Sequence, residues 1–388
     1  MRKSALYSFG LVVLALAALG LIVLCSASQA NGIRLYRDAY HFVKYQAVFL
    51  GVGAALATVV ALVDYRLWRN HPALTVTMVI AVLALLVLAL PPFGHKVNGS
   101  YRWIRLGPVN IQPSEFAKIA MVIAMAVWMD LQKWRVELFV RGAVIPAALI
   151  GIVAFPILLE PDFGSVMVVG CAGFLVMFIA GTRFLHLLPF FLLGLGGLVA
   201  KVAANANRMA RIAAFLGIKL EVGAGATIVD AAADRAAYQA RMALVAIKNG
   251  GFWGVGLGQS MQKQYYLPEA HTDFIFAIGA EELGLGFSAF TVILFLLFLV
   301  FAVAIARKAS DRFGRYLVIG MTFLVFFQAM FNLGVVCEAL PTKGMALPFF
   351  SYGGTNMLSA FFAVGTILSV GIHSYRDQKR VIKRNVFV

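Results

Sequence analysis

The stretch "LPEAHTDFIFAIGAEELGLGFSAFTVILFLLFLVFAVAI" (residues 267–305) places four carboxylates and a histidine directly before one of the longest apolar runs of the chain. The apolar part, 283–305, has 23 residues, and a bilayer needs only about 20. The segment 272–282 is therefore surplus to the span. We expect it to stand above the lipid or to border a polar cavity, with Asp273 held on a rigid helix that faces outward. Charged groups are costly near lipid, so this cluster needs an explanation.

The composition defines the class of protein. Of the 388 residues, 62% are hydrophobic and 13% are charged, which is too much apolar surface for a soluble domain to bury. The apolar runs are continuous, whereas barrel strands would alternate. The sequence therefore predicts an all-α polytopic membrane protein, a single domain over 1–388. Ten transmembrane helices are expected, at 7–28, 42–63, 74–91, 114–131, 141–160, 163–181, 185–203, 272–305, 315–337 and 353–374. The first run, although it starts with basic residues, is too long for a signal peptide and is interpreted as a retained span.

The basic residues predict the orientation. With ten spans both termini lie on one side, and that side carries 17 Lys and Arg against 7 in the short loops opposite. The positive-inside rule makes both termini cytoplasmic. The net charge of +16 is therefore attributed to topology, and no nucleic-acid partner is expected. The one large extracytoplasmic loop, 204–271, lies between spans seven and eight, with an amphipathic helix expected around 238–248.

No metal site is assigned from the sequence. The cysteines Cys25, Cys171 and Cys337 lie within or at the ends of apolar spans and lack metal-ligand spacing. We expect them to be small buried hydrophobic residues without a disulfide. Glu269, His271 and Asp273 have no diagnostic spacing. No cofactor is assigned, although a divalent cation remains compatible with the sequence.

Span four opens with "IQPSEFAKIA" (111–120) and reaches full length only if Glu115 and Lys118 enter the membrane. Residues three apart share a helix face, so the two side chains can pair. Buried intramembrane charges either pair structurally or line a wet cavity. The sequence leaves both interpretations open.

Two further polar stretches lie on the same side of the membrane. The turn "LLEPDFGS" (158–165) is very short, which keeps Glu160 and Asp162 close to the membrane surface; it is either a polar helix stop or part of a site. "EALPTKGMALPFFSYGGTN" (338–356) contains two prolines and three glycines but is too apolar for a solvated loop. We expect it to be non-helical and to dip into the protein.

This second stretch suits a phosphate group. The helix that follows it offers free N–H groups and a positive dipole end, and three side chains could assist: Lys343, Ser351 and Thr355. A tightly packed turn without ligand is the alternative. The loop "HKVNGSYRWIRLGP" (95–108) adds Arg102, Trp103 and Arg105, a combination usually typical of an interfacial anchor.

Every unusual polar cluster thus falls on the outer side. A transferase there cannot rely on nucleotide triphosphates and must use a preactivated donor such as a lipid diphosphate sugar. The diphosphate leaving group needs nearby positive charge, and the acceptor hydroxyl needs one carboxylate as a base in an inverting displacement. The same residues would also suit a transporter of an anionic lipid.

Five motifs resemble one known family. "RWIRLGPVNIQPSEFAK", "EPDFGS", "YQARMALVAIKNGGFWGVGLGQS", "LPEAHTDFIFAIGAEELG" and "LPTKGMALPFFSYGGT" occur in the order found in the SEDS family of FtsW and RodA proteins. The resemblance covers the whole chain. "LPEAHTDF" and "LPTKG" are more similar to the division member, FtsW, than to the elongation member. The Ala-rich insert 221–237 departs from the family pattern, and Tyr265 stands where some members have an acid.

The resemblance implies a peptidoglycan glycosyltransferase of the bacterial cytoplasmic membrane that polymerises lipid II. It implies that Asp273 is the essential carboxylate, that Glu115 and Lys118 have roles, and that the partner is a class B penicillin-binding protein within a division or elongation complex. Lys118, Lys343 and Arg102 would then stabilise the diphosphate, and Asp162 would belong to the substrate cavity. A lipid II flippase and a non-catalytic scaffold for the transpeptidase are the alternatives.

Overall fold

The computed structural model describes residues 3–91, 94–97, 100–107, 109–160, 162–204, 209, 226–341 and 343–386. Its helices are α1 (Lys3–Tyr36), α2 (His41–Leu62), α3 (Leu67–Asn70), α4 (Pro72–Leu88), α5 (Pro113–Gln132), α6 (Ile145–Leu159), α7 (Phe163–Ala180), α8 (Phe184–Ala203), α9 (Ala226–Gly250), α10 (Ile275–Arg307), α11 (Arg312–Val336) and α12 (Gly354–Val386). A π-helical turn, Val140–Val144, leads into α6, and a second one, Gln262–Tyr266, precedes α10.

The predicted all-α polytopic membrane fold is confirmed. A helix lies at each of the ten predicted positions, and the number of ten spans stays a prediction. Within the described residues, eight helices are long and apolar enough to cross a bilayer: Ser4–Tyr36, His41–Leu62, Val140–Leu159, Phe163–Ala180, Phe184–Lys201, Ile275–Arg307, Arg312–Val336 and Gly354–Arg380. Pro72–Leu88 is apolar but shorter. The remaining one, α5, carries Glu115, Lys118 and Asp130 within its 20 residues.

The centre of the bundle is formed by α5, α7, α11 and α12, whose facing side chains are buried. α12 packs along α2, and α1 packs along α10. α8 lies at the periphery, where most of its described side chains are exposed. An apolar helix with so little contact inside the protein is suited to contact lipid.

Three strands form a short antiparallel meander that covers the predicted loop 95–108 and extends three residues beyond it: β1 (His95–Val97), β2 (Ser100–Leu106) and β3 (Val109–Ile111), in the order β1-β2-β3. β2 pairs with β3 through Ile104 opposite Ile111. This element was not predicted. It positions the Arg102–Trp103 segment directly before α5.

Two sequence expectations need correction. The cysteines are free, but Cys25 and Cys171 are only half-buried and Cys337 is exposed rather than buried. The helix expected around 238–248 is present but much longer, since α9 begins at Ala226 within the Ala-rich insert. The first part of that insert, 221–225, lies outside the described residues, as does most of 205–225.

The non-helical character predicted for 338–356 is confirmed for the described part of 338–353, whereas 354–356 already belong to α12. Burial is confirmed for 345 and 347–351, but Glu338, Ala339 and Gly344 are exposed. Leu347, Phe349, Phe350 and Ser351 are almost fully buried. Phe349 has a φ of 69°, a left-handed conformation that is uncommon for a bulky residue. The chain therefore returns into the protein between α11 and α12, as its apolar composition required.

Candidate active site

Asp273 was expected on the helix itself, but it lies in the turn that precedes α10, at the outer end of that helix. Its backbone carbonyl accepts a hydrogen bond of 2.7 Å from Nδ2 of Asn332. The neighbouring carbonyl, that of Thr272, accepts one of 2.6 Å from Oγ of Ser351. Two buried elements, α11 and the loop before α12, therefore fix the backbone that carries the carboxylate.

The carboxylate of Asp273 lies against Gly344 of the LPTKG motif, where any Cβ would collide with Oδ2. Burial raises the pKa of Asp273 to about 6, the negative charge of Glu269 adds to this rise, and Arg102 opposes it. A carboxylate with a pKa near the working pH is well matched to a general base. Its place in the turn keeps it outside the membrane-spanning part of α10.

A cavity of about 630 Å³ opens beside Asp273, a volume within the range of small-molecule sites. Five of the eight site residues proposed from the sequence line it: Arg102, Glu115, Lys118, Asp162 and Asp273. They come from four separate elements: β2, α5, the α6–α7 turn and the turn before α10. Residues up to 171 positions apart along the chain thus meet in one space.

The predicted ion pair in α5 is present. Lys118 Nζ lies 2.7 Å from Glu115 Oε1 and 3.1 Å from Oε1 of Gln328 in α11. The other oxygen of Glu115 accepts a hydrogen bond of 2.8 Å from Ser359 of α12. Glu115 and Lys118 therefore join α5, α11 and α12 and at the same time line the cavity, so the two interpretations left open by the sequence are compatible.

The EPDFGS turn contributes two acids, Glu160 and Asp162, whose pKa values shift in opposite directions. Burial alone would raise the pKa of Asp162, but Lys343, Arg102 and the bonds from Ser165 together lower it below its usual value. Lys343 Nζ lies 3.9 Å from Asp162 Oδ1. By contrast, Glu160 is 0% exposed, and burial together with Asp162 raises its pKa to about 8. Asp162 thus caps α7 with a lowered pKa, whereas the raised pKa of Glu160 favours its protonated form.

Ser351 and Thr355 are placed differently from the direct phosphate contacts that the sequence indicated. Ser351 Oγ is bonded to Thr272 O and accepts from Leu347 N at 2.7 Å. Thr355 Oγ1 donates to Asn110 O at 3.2 Å and accepts from Gln112 N at 3.3 Å. Neither residue is among those that line the cavity. Both hydroxyls fasten the loops around the site.

Arg102 and Trp103 both line the cavity, so the meander does more than anchor the protein at the interface. Within the described part of the chain, Arg102 Nε and Trp103 Nε1 are buried without a hydrogen-bond partner. Buried donors of this kind are costly unless a ligand or water satisfies them. They are therefore available to an anionic or hydroxyl-bearing substrate.

Sequence reasoning missed two amides of α11. Gln328 Nε2 donates to Ala346 O and to Asn356 Oδ1, each at 2.9 Å. Asn332 donates to Met345 O at 2.6 Å as well as to Asp273. A usable signal was present, because two amides four residues apart in an apolar helix share one face and must point inward.

Over the described residues, no three His, Cys, Asp or Glu side chains are grouped closely enough to hold a metal ion. The set Glu269, His271 and Asp273 considered above does not form such a group. His271 instead faces Asn31, with Nδ1 at 3.2 Å from Asn31 Nδ2.

The fold and the cavity define a multi-pass membrane protein with a mixed-charge site at one end of the bundle, built around a carboxylate of raised pKa. The chain belongs to the FtsW/RodA/SpoVE family: the family model, described as cell cycle protein, matches residues 7–376.

Individual relatives extend over nearly the whole chain. A protein of Trichlorobacter lovleyi named probable peptidoglycan glycosyltransferase FtsW is 38% identical over 365 residues, 93% of this chain and 91% of that protein. The crystal structure of Thermus thermophilus rod shape determining protein RodA is 26% identical, with a TM-score of 0.66 over 95% of this chain and 97% of that one. A chain from a study of how a peptidoglycan synthase complex coordinates polymerization and crosslinking is also 26% identical, with a TM-score of 0.71 over 95% and 98%.

Proposed function

We propose that this protein is an inverting peptidoglycan glycosyltransferase that polymerises lipid II on the outer face of the bacterial cytoplasmic membrane. The observation that carries the proposal is the cavity itself, which places the carboxylate of Asp273, with a pKa of about 6, together with Arg102 and Lys118. Family membership and the names of the relatives support the same activity. The FtsW-like motifs favour a role in cell division over elongation.

In the proposed reaction, Asp273 accepts the proton of the acceptor sugar hydroxyl. The resulting oxygen attacks the anomeric carbon of the donor sugar from the face opposite to the diphosphate. The bond between this carbon and the diphosphate oxygen breaks, and the lipid diphosphate leaves with the electron pair. One glycosidic bond forms and one phosphate ester bond is lost, with inversion at the anomeric carbon.

Positive charge near the leaving group supplies the electrostatic part of the catalysis. Arg102 is suited to this role because its guanidinium lines the cavity with a buried Nε that no described residue satisfies. Lys118 is held in place by Glu115 and Gln328. Lys343 does not itself line the cavity but lies beside Asp162, which does. We assign no cofactor; a divalent cation carried by the diphosphate would add to the same field.

The proposed partner is a class B penicillin-binding protein, whose transpeptidase would crosslink the new strands. The likeness to a chain studied within a peptidoglycan synthase complex supports this assignment. The decisive experiment is to supply labelled lipid II to the purified protein with its partner and to measure glycan chains. Lipid II translocation in vesicles without chain formation would favour the flippase. The absence of both activities would favour the scaffold.

We expect both termini to be cytoplasmic and the loop 204–271 to be extracytoplasmic. Two exposed tryptophans provide a matched test in a background without native cysteines: Trp253 is 87% exposed and Trp134 is 70% exposed. A membrane-impermeant thiol reagent added to intact spheroplasts should label Trp253→Cys and leave Trp134→Cys unlabelled. The reverse pattern would overturn both the topology and the location of the reaction.

The rate of polymerisation should fall as the pH drops through about 6. The base must be ionised to act, so below its pKa the rate should decrease about tenfold for each pH unit. Because the charge of Glu269 raises the pKa of Asp273, Glu269→Gln should move the acid limb to lower pH with little loss at pH 8. A profile that is flat between pH 5 and 8, or one that Glu269→Gln shifts upward, would contradict Asp273 as the titrating base.

A further inference from the structure

The helix that follows Asp273 is not one continuous rod. At Gly284, α10 has a φ of 72° and a ψ of −162°, which no α-helix contains. The break separates a short outer segment, 275–283, from the spanning segment that follows. The outer segment can therefore point in a different direction from the spanning segment. The position of Asp273, which precedes the outer segment, has to be set by other contacts.

The glycine-rich loop 250–258 fills this break. Leu285 N donates to Gly251 O, and Val255 N and Gly256 N donate to the carbonyls of Glu281 and Glu282, each bond being 3.0 Å long. These bonds satisfy backbone groups that the interrupted helix cannot satisfy internally.

The loop and the break fit each other closely. A Cβ at Gly254 would collide with the carbonyl of Glu282, and one at Gly284 would collide with Gly254 N and Phe252 O. Both glycines also have positive φ, so each is required by the close approach as well as by its own conformation.

Buried side chains fasten the outer segment to α1 and to the π-helical turn Gln262–Tyr266. Lys263 Nζ lies 2.8 Å from Glu282 Oε1 and 2.8 Å from Ser26 Oγ. Ser26 Oγ in turn donates to the same carboxylate oxygen at 2.6 Å. Lys263 is 6% exposed and Glu282 is 1% exposed. Removing either charge would therefore leave the other buried without its partner, which is costly.

The neighbouring acid, Glu281, attaches the outer segment to α9 and to the segment before the π-helical turn. Glu281 accepts a short hydrogen bond from Ser260 Oγ and a bond of 3.3 Å from Gln262 N. Asn249, at the end of α9, donates to its other oxygen at 3.4 Å. Neither Glu281, Glu282 nor Lys263 lines the 630 Å³ cavity, so the charges have no direct access to a substrate there.

We propose that Lys263, Glu281 and Glu282 are positioning residues for Asp273: they lock the outer segment of α10 onto α1 and the loop 250–266 and thereby set the distance between the carboxylate and the substrate cavity. This proposal rests on the proposed glycosyltransferase function. Asn332 holds the backbone carbonyl of Asp273 from the opposite side, so the turn that carries the carboxylate is held from two sides. A misplacement of about 1 Å by a distant substitution can cost a factor of about 10² in rate.

The test uses the full-length protein with its partner and labelled lipid II. Lys263→Met should lower kcat at least about tenfold while KM stays within about twofold, because the cavity lining is unchanged. Lys263→Arg keeps the charge and should recover most of the rate. In hydrogen exchange, amides of 276–283 should exchange at least about tenfold faster in Lys263→Met, with amides of 286–305 unchanged.

Arg66→Met is the matched control. Arg66 forms a comparable network at the other end of the bundle, with Asp311 at 2.9 Å and Asp377 at 2.6 Å. Its loss should lower thermal stability without changing kcat per folded molecule or exchange in 276–283. Native kcat or native exchange in Lys263→Met, or equal losses of kcat in both variants, would overturn the positioning role.

The exchange measurement needs no turnover. If the native protein formed no glycan chains, the proposed function would fail, yet the comparison of the two variants would still decide whether Lys263 holds the outer segment.

Discussion

Asp273→Asn should lower the rate of glycan-chain formation by at least about 10²-fold, the lower end of the loss expected when a general base is removed. Asparagine keeps the shape of the side chain, and the backbone bond from Asn332 to Asp273 O does not depend on the carboxylate. Folding and lipid II binding should therefore survive. The measurement is chain formation at equal protein levels, at a pH well above 6.

Glu269→Gln is the matched control for this substitution, because it removes a carboxylate four residues away. Glu269 lies in the cavity wall and acts on Asp273 through its charge, so its loss at that pH should have a much smaller effect. Full activity of Asp273→Asn at normal protein levels would show that Asp273 is not the base. It would also favour the alternative function, a lipid II flippase.

The second large effect is expected for Glu115→Ala. This change leaves the ammonium of Lys118 buried with Gln328 as its described polar contact and removes one acceptor of Ser359. Breaking one partner of a buried ion pair costs roughly 3–5 kcal/mol, so we expect lower expression, lower thermal stability and lost polymerisation.

A double substitution separates structural from substrate roles. Glu115→Gln with Lys118→Met removes both charges while keeping similar volume, so the protein should regain its expression level. If the pair also acts on the substrate, as its position in the cavity lining indicates, polymerisation should stay low. Recovery of both expression and polymerisation would restrict the pair to a structural role.

Much of the fold was predictable because lipid imposes simple rules on a sequence. The apolar runs, the ion pair of α5 and the buried return of 338–353 all follow from the cost of exposing polar groups to hydrocarbon. The same cost predicted a separation of 272–282 from 283–305, and the structure has a break of α10 at Gly284, next to that boundary.

Other features depend on contacts between distant segments and had no local signature. The β-meander forms because Ile104 and Leu106 pair with residues of β3, while its short strands show no clear alternation. The docking of 250–258 into α10 depends on hydrogen bonds to Glu281, Glu282 and Leu285, about thirty residues further along. Glycines in that loop indicated turns, but not which helix they would approach.

The site was predicted in part for the same reason. The sequence singled out five residues because each is an unusual charge next to an apolar run. All five line the cavity: Arg102, Glu115, Lys118, Asp162 and Asp273. Ser351 and Thr355 are common in turns, and nothing in their local sequence showed that neighbouring carbonyls would engage them.

The interruption at Gly284 has a consequence for how the protein tolerates different membranes. Spanning helices tilt when the hydrocarbon layer becomes thicker or thinner, and a carboxylate on a continuous helix would swing with that tilt. Here the outer segment is tied to its neighbours by Lys263, Glu282 and Ser26. We therefore expect the dimensions of the cavity to depend on these protein contacts rather than on the acyl-chain length of the surrounding lipids.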